Sequence, residues 1–535
     1  MSEKLDVYKI RRKVSRKDEV AKHPRREQII RQRVTKKNTK YDLRIIAPDL
    51  FFSEEQRPHT HVIGATRQGK SFFLEWLMRE DINRNLGCCL LDPSSGGSTA
   101  QRLLSYCAEK GKQNVLYIDI DDSFPPHKKT ISLNPFRYDK DGKPSPKRRY
   151  NSVDVLMRAI RDLYGVKDPG QQSVIERYLP AVFYALYDSQ SPLADARYFA
   201  NRLYKPQQEE ILSLTDSDIR LELKEALGSF TAYKEFQSTV RRLMRFTRGP
   251  IGKMFSADKG VDWVKVVRDK WVVIVRLDNL DTFDARLLGT YVVAQIEYAK
   301  QYLNSAIDSN RELKERGKYP PFYLYADEAQ LFASESLKNL LNLKQKLNLK
   351  LILAHHYTKQ FDPEMYEAVK VNCGITVQFY IRGKDTRDDI AAEMYGGDID
   401  PKDASYANSN LAQRQAVVKI GKGSPARTML PIVPDPDISN EELKNYKVDL
   451  YHRLTEMGWY HDSDKIEQPK YEFREQDEPK QKASNRKNIV YRTKDDSTSD
   501  SKTSKPKRTA SSQKWEILPD DLPGRERPSK KDDEA

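Results

Sequence analysis

The residues of this chain best suited to chemistry fall in two short runs. The first is Gly64-Ala65-Thr66-Arg67-Gln68-Gly69-Lys70-Ser71-Phe72, a complete GxxxxGK[ST] loop set between an apolar strand end, His61-Val62-Ile63, and an apolar-periodic helix. The spacing suits phosphate. Gly64 and Gly69 let the backbone turn tightly and bring its N–H groups against the oxygens, Lys70 reaches the β/γ oxygens, and the Ser71 hydroxyl can ligate Mg²⁺. The helix that follows adds the positive end of its dipole to the same anion site. Nucleotide binding is the first expectation.

The second run is PFYLYADEAQ, residues 321–330. Its apolar residues read as a buried strand that delivers Asp327 and Glu328 at its carboxyl end, where parallel α/β sheets place their ligands. Asp327 is assigned to the Mg²⁺ shell and Glu328 to the attacking water. Loop and carboxylates together call for ATP and Mg²⁺ as cofactors.

Bringing two runs some 256 residues apart into one site requires a sheet. Residues 41–136 alternate strand-like stretches (43–46, 61–63, 88–91, 115–120) with helical ones, the order of βαβ units on a parallel sheet. Residues 150–256 are helical in period throughout; Val174, Tyr178, Val182 and Leu186 recur every four residues. Strand-like stretches return at 271–277, 322–325, 351–354 and 375–381, and a helix at about 440–456 closes the folded part. The expected divisions are a basic arm (1–40), the first part of an α/β domain (41–149), an all-α insert (150–256), the second part of the α/β domain (257–460) and a tail (461–535).

Charge is unevenly placed over the 535 residues. The net charge is +15, of which +10 lies in residues 1–40 and +1 in residues 461–535. The arm suits phosphate-rich partners, by counterion release from nucleic acid or by attraction to an anionic membrane face, or is a solvated tail. The tail from about 462 is rich in Lys, Asp, Ser and Pro and cannot bury enough apolar surface to offset ordering entropy, so it is expected to be disordered. Within it, Trp515-Glu516-Ile517-Leu518-Pro519 is an apolar island that docks on a partner or is a chance cluster. Cys88, Cys89, Cys107 and Cys373 show no metal-ligand spacing and read as free thiols in a reducing compartment. No stretch approaches 18 apolar residues. The chain therefore reads as cytoplasmic, seated at the inner face of a membrane only through a partner.

The order of these motifs resembles the HerA/FtsK superfamily of ring-forming DNA-pumping ATPases and, within it, the type IV secretion coupling proteins of conjugation (TraG/TraD-like). The resemblance covers about residues 55–435. The loop from His61 to Ser71 is similar to that group's Walker A segment, Leu90-Leu91-Asp92-Pro93 to its next strand, and Leu133-Asn134-Pro135 to its Asn-Pro turn. Asp262-Trp263 and the strand after it resemble the segment closing its helical insert, and Asp327-Glu328-Ala329-Gln330 its Walker B.

The resemblance implies a RecA-like P-loop NTPase of the α/β class with a mostly parallel central sheet, an all-α inserted domain and disordered charged tails. It also implies a γ-phosphate sensor after the strand at 351–354, which falls on His356 where relatives carry Gln, with Gln360 beyond. An intersubunit arginine falls on Arg382, with Arg387 behind it. Ser94-Ser95-Gly96 stands where many relatives have Lys-Gly. The implied partners are non-sequence-specific DNA, further copies of the chain in a homohexamer, and secretion, relaxosome or other DNA-processing proteins; no membrane span is expected. A motor in end processing, defence or viral packaging is the alternative, as is a nucleotide-gated recruitment module. Arg241, Arg245 and Arg248 at i, i+4 and i+7 form either a stripe that tracks a phosphate backbone or a solvated helix face.

Overall fold

The computed structural model describes residues 57–465, apart from 125, 137–145, 165–168, 258, 310–318, 344–346, 396–404, 406–408, 410 and 424, together with the backbone of three short strands before residue 46. In chain order the strands are β1 (Arg33–Lys36), β2 (Thr39–Asp42), β3 (Arg44–Ile45), β4 (Thr60–Ile63), β5 (Gly87–Asp92), β6 (Val115–Ile118) and β7 (Lys129–Ile131). They continue with β8 (Val272–Arg276), β9 (Phe322–Ala326), β10 (Leu349–His355), β11 (Ile375–Gln378), β12 (Gln415–Ile420), β13 (Ala426–Met429) and β14 (Tyr460–Asp462).

Ten strands share one sheet in the order β3-β13-β12-β11-β4-β10-β9-β5-β8-β6. From β11 through β6 every pairing is parallel. Beyond β11, β12 and β13 extend the sheet antiparallel, and β3 runs parallel to β13. Central strands covered on both sides read as unbroken apolar runs, and β5 and β9 are buried at every residue. The order has one consequence for chemistry: β10 lies between β4, which feeds the phosphate loop, and β9, which feeds Asp327. That is the RecA-like arrangement expected from the motifs, and it puts the carboxyl end of β10 between the two halves of the site.

Among the described residues between β7 and β8 the regular elements are all helical, from Pro146–Tyr164 and Pro169–Asp188 to Gly249–Met254 and Trp263–Arg268. The stretch expected as one basic-striped helix is instead the end of helix Phe230–Val240 followed by a 3₁₀ segment, Arg241–Thr247. At three residues per turn the i, i+4 and i+7 positions no longer share a face. Arg245 turns to Asp281 and Asp284, whereas Arg241 and Arg248 line a cleft of about 610 Å³ with Arg197, Asn201 and Tyr204.

Two further differences concern the ends. The antiparallel pair β1–β2 lies across the expected boundary at 40, with β-branched or aromatic Val34, Thr35, Thr39 and Tyr41 favouring strand. Strand β14 lies across the expected boundary at 461 and pairs with β7. Helix Asn440–Glu456 starts on a capping box between Ser439 and Glu442, as its Ser-Asn-Glu-Glu run dictates. The Trp515 island lies outside the described residues. Cys88, Cys89, Cys107 and Cys373 are free, and burial pushes the Cys107 thiol up to about 12. Among the described residues no helix is long and apolar enough to cross a membrane.

Candidate functional site

The phosphate loop is shaped by its two glycines for different reasons. A Cβ on Gly64 would stand 2.5 Å from the Cβ of Phe379, so only glycine lets β4 pass that close to the end of β11. Gly69 adopts φ 116°, where a side chain is strained, and Arg67 is also left-handed at φ 64°. Helix Lys70–Asn83 then starts with no side-chain cap. Its first N–H groups are the donors a phosphate would take. Thr66 and Arg67 are exposed and Phe72 is half exposed, so the loop's rim faces solvent.

Lys70 turns its ammonium back on the loop, donating to Gly64 O at 2.9 Å and Ala65 O at 3.3 Å, with His356 Nδ1 at 2.8 Å. Burial pulls its pKa below the ordinary lysine value, against the opposing pull of Asp327 and Glu328. The Ser71 hydroxyl donates to Asp327 Oδ2 at 2.6 Å. Hydroxyl and carboxylate are thus within one cation's reach of each other, and Lys70 has donors that incoming phosphate oxygens would claim from the loop carbonyls. The donor set fits a nucleotide with Mg²⁺.

At the end of β9 the backbone is strained. Glu328 has φ 51° and ψ 50°, a left-handed conformation that costs a non-glycine residue about 1 kcal/mol. The turn aims its carboxylate across β10: Glu328 Oε1 meets His356 Nε2 at 2.7 Å, and Oε2 accepts from Gln330 Nε2 at 2.7 Å. Burial alone would raise the Glu328 carboxyl, but the hydrogen bonds from His356 and Gln330 outweigh it and hold the pKa below the usual value. The same bond raises His356, against burial and the Lys70 charge.

These contacts bring Lys70, Ser71, Asp327, Glu328 and His356 together. Arg382 stands apart: it is exposed and makes no hydrogen bond or ion pair with any of those five among the described residues. Arg387 donates to the carbonyl of Ile381 at 3.2 Å. Gln360 does not enter the site; its Oε1 accepts from the N–H of His356 at 2.6 Å and of Tyr357 at 3.1 Å, which fixes the turn after β10.

Sequence reading missed three contributors. Ser94, noted only as a departure from Lys-Gly, donates its hydroxyl to Asp327 Oδ2 at 3.1 Å. Asp92 places it, accepting from Ser94 N at 3.0 Å and Ala100 N at 2.8 Å, and burial raises the Asp92 carboxyl. The third is the turn into β12, which clasps the loop through Arg414 N to Gln68 O (3.0 Å) and Gln413 Nε2 to Arg67 O (3.2 Å). The serine after an Asp-Pro strand end was the visible signal for Ser94; nothing local marked residues 413 and 414.

No protein-family model matches the chain, and no curated protein matches it in sequence. Its structure is similar to that of plasmid coupling protein TrwB in complex with a non-hydrolysable GTP analogue, at 16% identity and a TM-score of 0.49, over 71% of this chain and 87% of that one. It is similar to VirB4 of Thermoanaerobacter pseudethanolicus at 12% identity and a TM-score of 0.45, over 70% and 90%. It is also similar to the genome packaging NTPase B204 from Sulfolobus turreted icosahedral virus 2, at 15% identity and a TM-score of 0.23, over 33% and 74%.

Proposed function

We propose that this chain is a Mg²⁺-dependent ATPase that moves DNA through a homohexameric ring, as coupling proteins do, and delivers it to a conjugation or type IV secretion apparatus. The observation that carries the proposal is the convergence of Lys70, Ser71, Asp327, Glu328 and His356 at the carboxyl ends of three adjacent strands, β4, β10 and β9. The ordered motif set and the helices between β7 and β8 support the motor reading. The +10 arm suits a polyanion.

In this reading the loop N–H groups and Lys70 hold the phosphates, and Ser71 and Asp327 hold the cation. Mg²⁺ there offsets charge developing on the transferred phosphoryl oxygens. Glu328, kept ionised by its hydrogen bonds, orients and deprotonates water. His356 reaches Glu328 and Lys70 at once, so it is placed to release Glu328 when phosphate draws Lys70 away. Arg382, exposed and outside this cluster, is the residue offered to a neighbouring subunit.

A translocation assay tests the motor. The full chain should displace a third strand or bound streptavidin from DNA in the presence of ATP, and the Lys70→Ala variant should not. ATP hydrolysis without any displacement would contradict the motor and leave only the nucleotide site.

A further inference from the structure

One buried polar chain has no part in the scheme so far. His61 in β4 and His355 at the end of β10 are both fully buried and stack with ring centroids 5.0 Å apart, their Nε2 atoms 2.7 Å from one another. His355 Nδ1 lies 3.0 Å from the carbonyl oxygen of Tyr357. His61 Nδ1 makes no hydrogen bond among the described residues, and the Glu393 carboxylate faces it with Oε1 3.5 Å away, within ion-pair distance. Glu393 also accepts from Thr376 Oγ1 at 2.9 Å and Tyr366 OH at 3.2 Å. The chain thus ties β10, β4, β11 and helix Lys384–Tyr395 together beneath the phosphate loop, where Gly64 N donates to the carbonyl of His355 itself.

Counting protons gives this chain a charge. A carbonyl oxygen only accepts, so His355 Nδ1 must carry hydrogen. The Nε2 to Nε2 contact needs one hydrogen between two lone pairs. A bare His61 Nδ1 facing a buried carboxylate is repulsive, so that nitrogen carries hydrogen too. Three contacts require three protons, whereas two neutral imidazoles hold two. With the third, the pair is cationic and balances the Glu393 carboxylate; without it, the interior holds an uncompensated negative charge.

We propose that His355 is a positioning residue for His356, held by a proton that it shares with His61 and that Glu393 balances. The proposal rests on the reading of His356 and Glu328 as the working pair. His355 precedes His356, so a ring pinned at both nitrogens fixes the backbone from which His356 reaches Glu328. Burial and the neighbouring His61 hold His355 well below its ordinary value, so His355 alone stays neutral, and only the contact geometry, with Glu393 facing His61, calls for a proton shared between the rings.

The surrounding groups act in both directions. Lys70 and His356, from the loop and the strand end, oppose the added proton. So does Lys419 of β12, whose Nζ donates to the main-chain oxygen of Glu393 at 3.0 Å. Asp389 and Glu367 lie near Tyr366, and the buried Cys373 thiol, raised by burial and by Glu393, stays neutral. Glu393 is the acceptor in contact with His61 and is held below its usual value, its hydrogen bonds outweighing burial.

Two measurements on the full chain test this. With ring-¹⁵N histidine, of which the chain has eight, His61 and His355 assigned by His61→Asn and His355→Asn should show protonated Nδ1 on both rings and one proton between the Nε2 atoms. A bare, pyridine-type Nδ1 on His61 would overturn the proposal. In Glu393→Gln the alkaline limb of kcat should move down by about 1–2 pH units, with the KM for nucleotide unchanged, because removing an adjacent charge lowers the pair's proton affinity by that much. A profile merely scaled down, without displacement, would mean packing alone. His355→Gln, which can still donate to Tyr357 but cannot hold the proton, should lose kcat with no such limb. Should Glu328→Gln keep full turnover, the reading of the site fails while the ¹⁵N result still stands on its own.

Discussion

His356 Nε2 lies 2.7 Å from Glu328 Oε1 while its Nδ1 lies 2.8 Å from Lys70 Nζ, so one imidazole bridges the residue assigned to phosphate and the residue assigned to water. Because Lys70 only donates, Nδ1 accepts from it and Nε2 donates to Glu328. Protonating the ring breaks the Lys70 contact and turns Nδ1 toward Gly64 O, 3.2 Å away.

The His356–Glu328 pair gives stability a pH signature. His356 is raised above its ordinary 6.5 by Glu328, so its contribution is complete below about pH 6.5 and is lost as pH rises through the raised value. Glu328 is depressed, so its contribution is present above the ordinary carboxyl value of 4.5 and is lost as pH falls through the lowered one. The difference in melting temperature between the native chain and His356→Gln should be largest between those limits and shrink on the alkaline side. A difference flat from acid to alkaline would remove the ion pair.

Lys70→Ala removes a charge-assisted hydrogen bond to phosphate, worth roughly 1.5–3 kcal/mol, and should weaken nucleotide binding about 10- to 100-fold. Titration with a fluorescent ATP analogue measures it. Unchanged affinity would mean that Lys70 stays on the loop carbonyls.

Ser71→Ala and Asp327→Asn should both raise the Mg²⁺ concentration needed for half-maximal turnover, Asp327→Asn more, because it removes charge as well as a ligand. Ser94→Ala, which removes only a donor to Asp327, should have the smallest effect. Equal effects from all three would contradict the assignment of Ser71 as the direct ligand.

If Arg382 completes a neighbour's site, Arg382→Ala should lower kcat about a thousandfold with nucleotide affinity intact, the scale of an arginine supplied in trans. Mixing it with the Glu328→Gln variant should restore some turnover in hybrid rings, since each supplies what the other lacks. No recovery would place Arg382 outside the catalytic machinery.

Much of the site was legible because its chemistry is local. Gly64 to Ser71 and Asp327-Glu328 are runs in which strand, turn and helix signals sit beside the functional residues, whereas the place of β10 between them appears only in the sheet order. What could not be read depends on register and distance. Arg241, Arg245 and Arg248 were placed on one face by assuming an α-helix where the chain winds as 3₁₀. Glu328's left-handed turn leaves no mark in its neighbours' identities. His61, His355 and Glu393 meet only because β4, β10 and β11 are adjacent, across 294 residues between the two histidines. In the sequence His355 is simply the last residue of an apolar strand.

Steady-state ATP turnover of the full chain with and without DNA, repeated with Glu328→Gln, tests the motor site most directly. DNA should raise the native rate, and Glu328→Gln should lower it about a hundred- to ten-thousandfold with nucleotide still bound. A native rate indifferent to both single- and double-stranded DNA would rule out a DNA motor, and a Glu328→Gln rate equal to the native one would rule out Glu328 as the base.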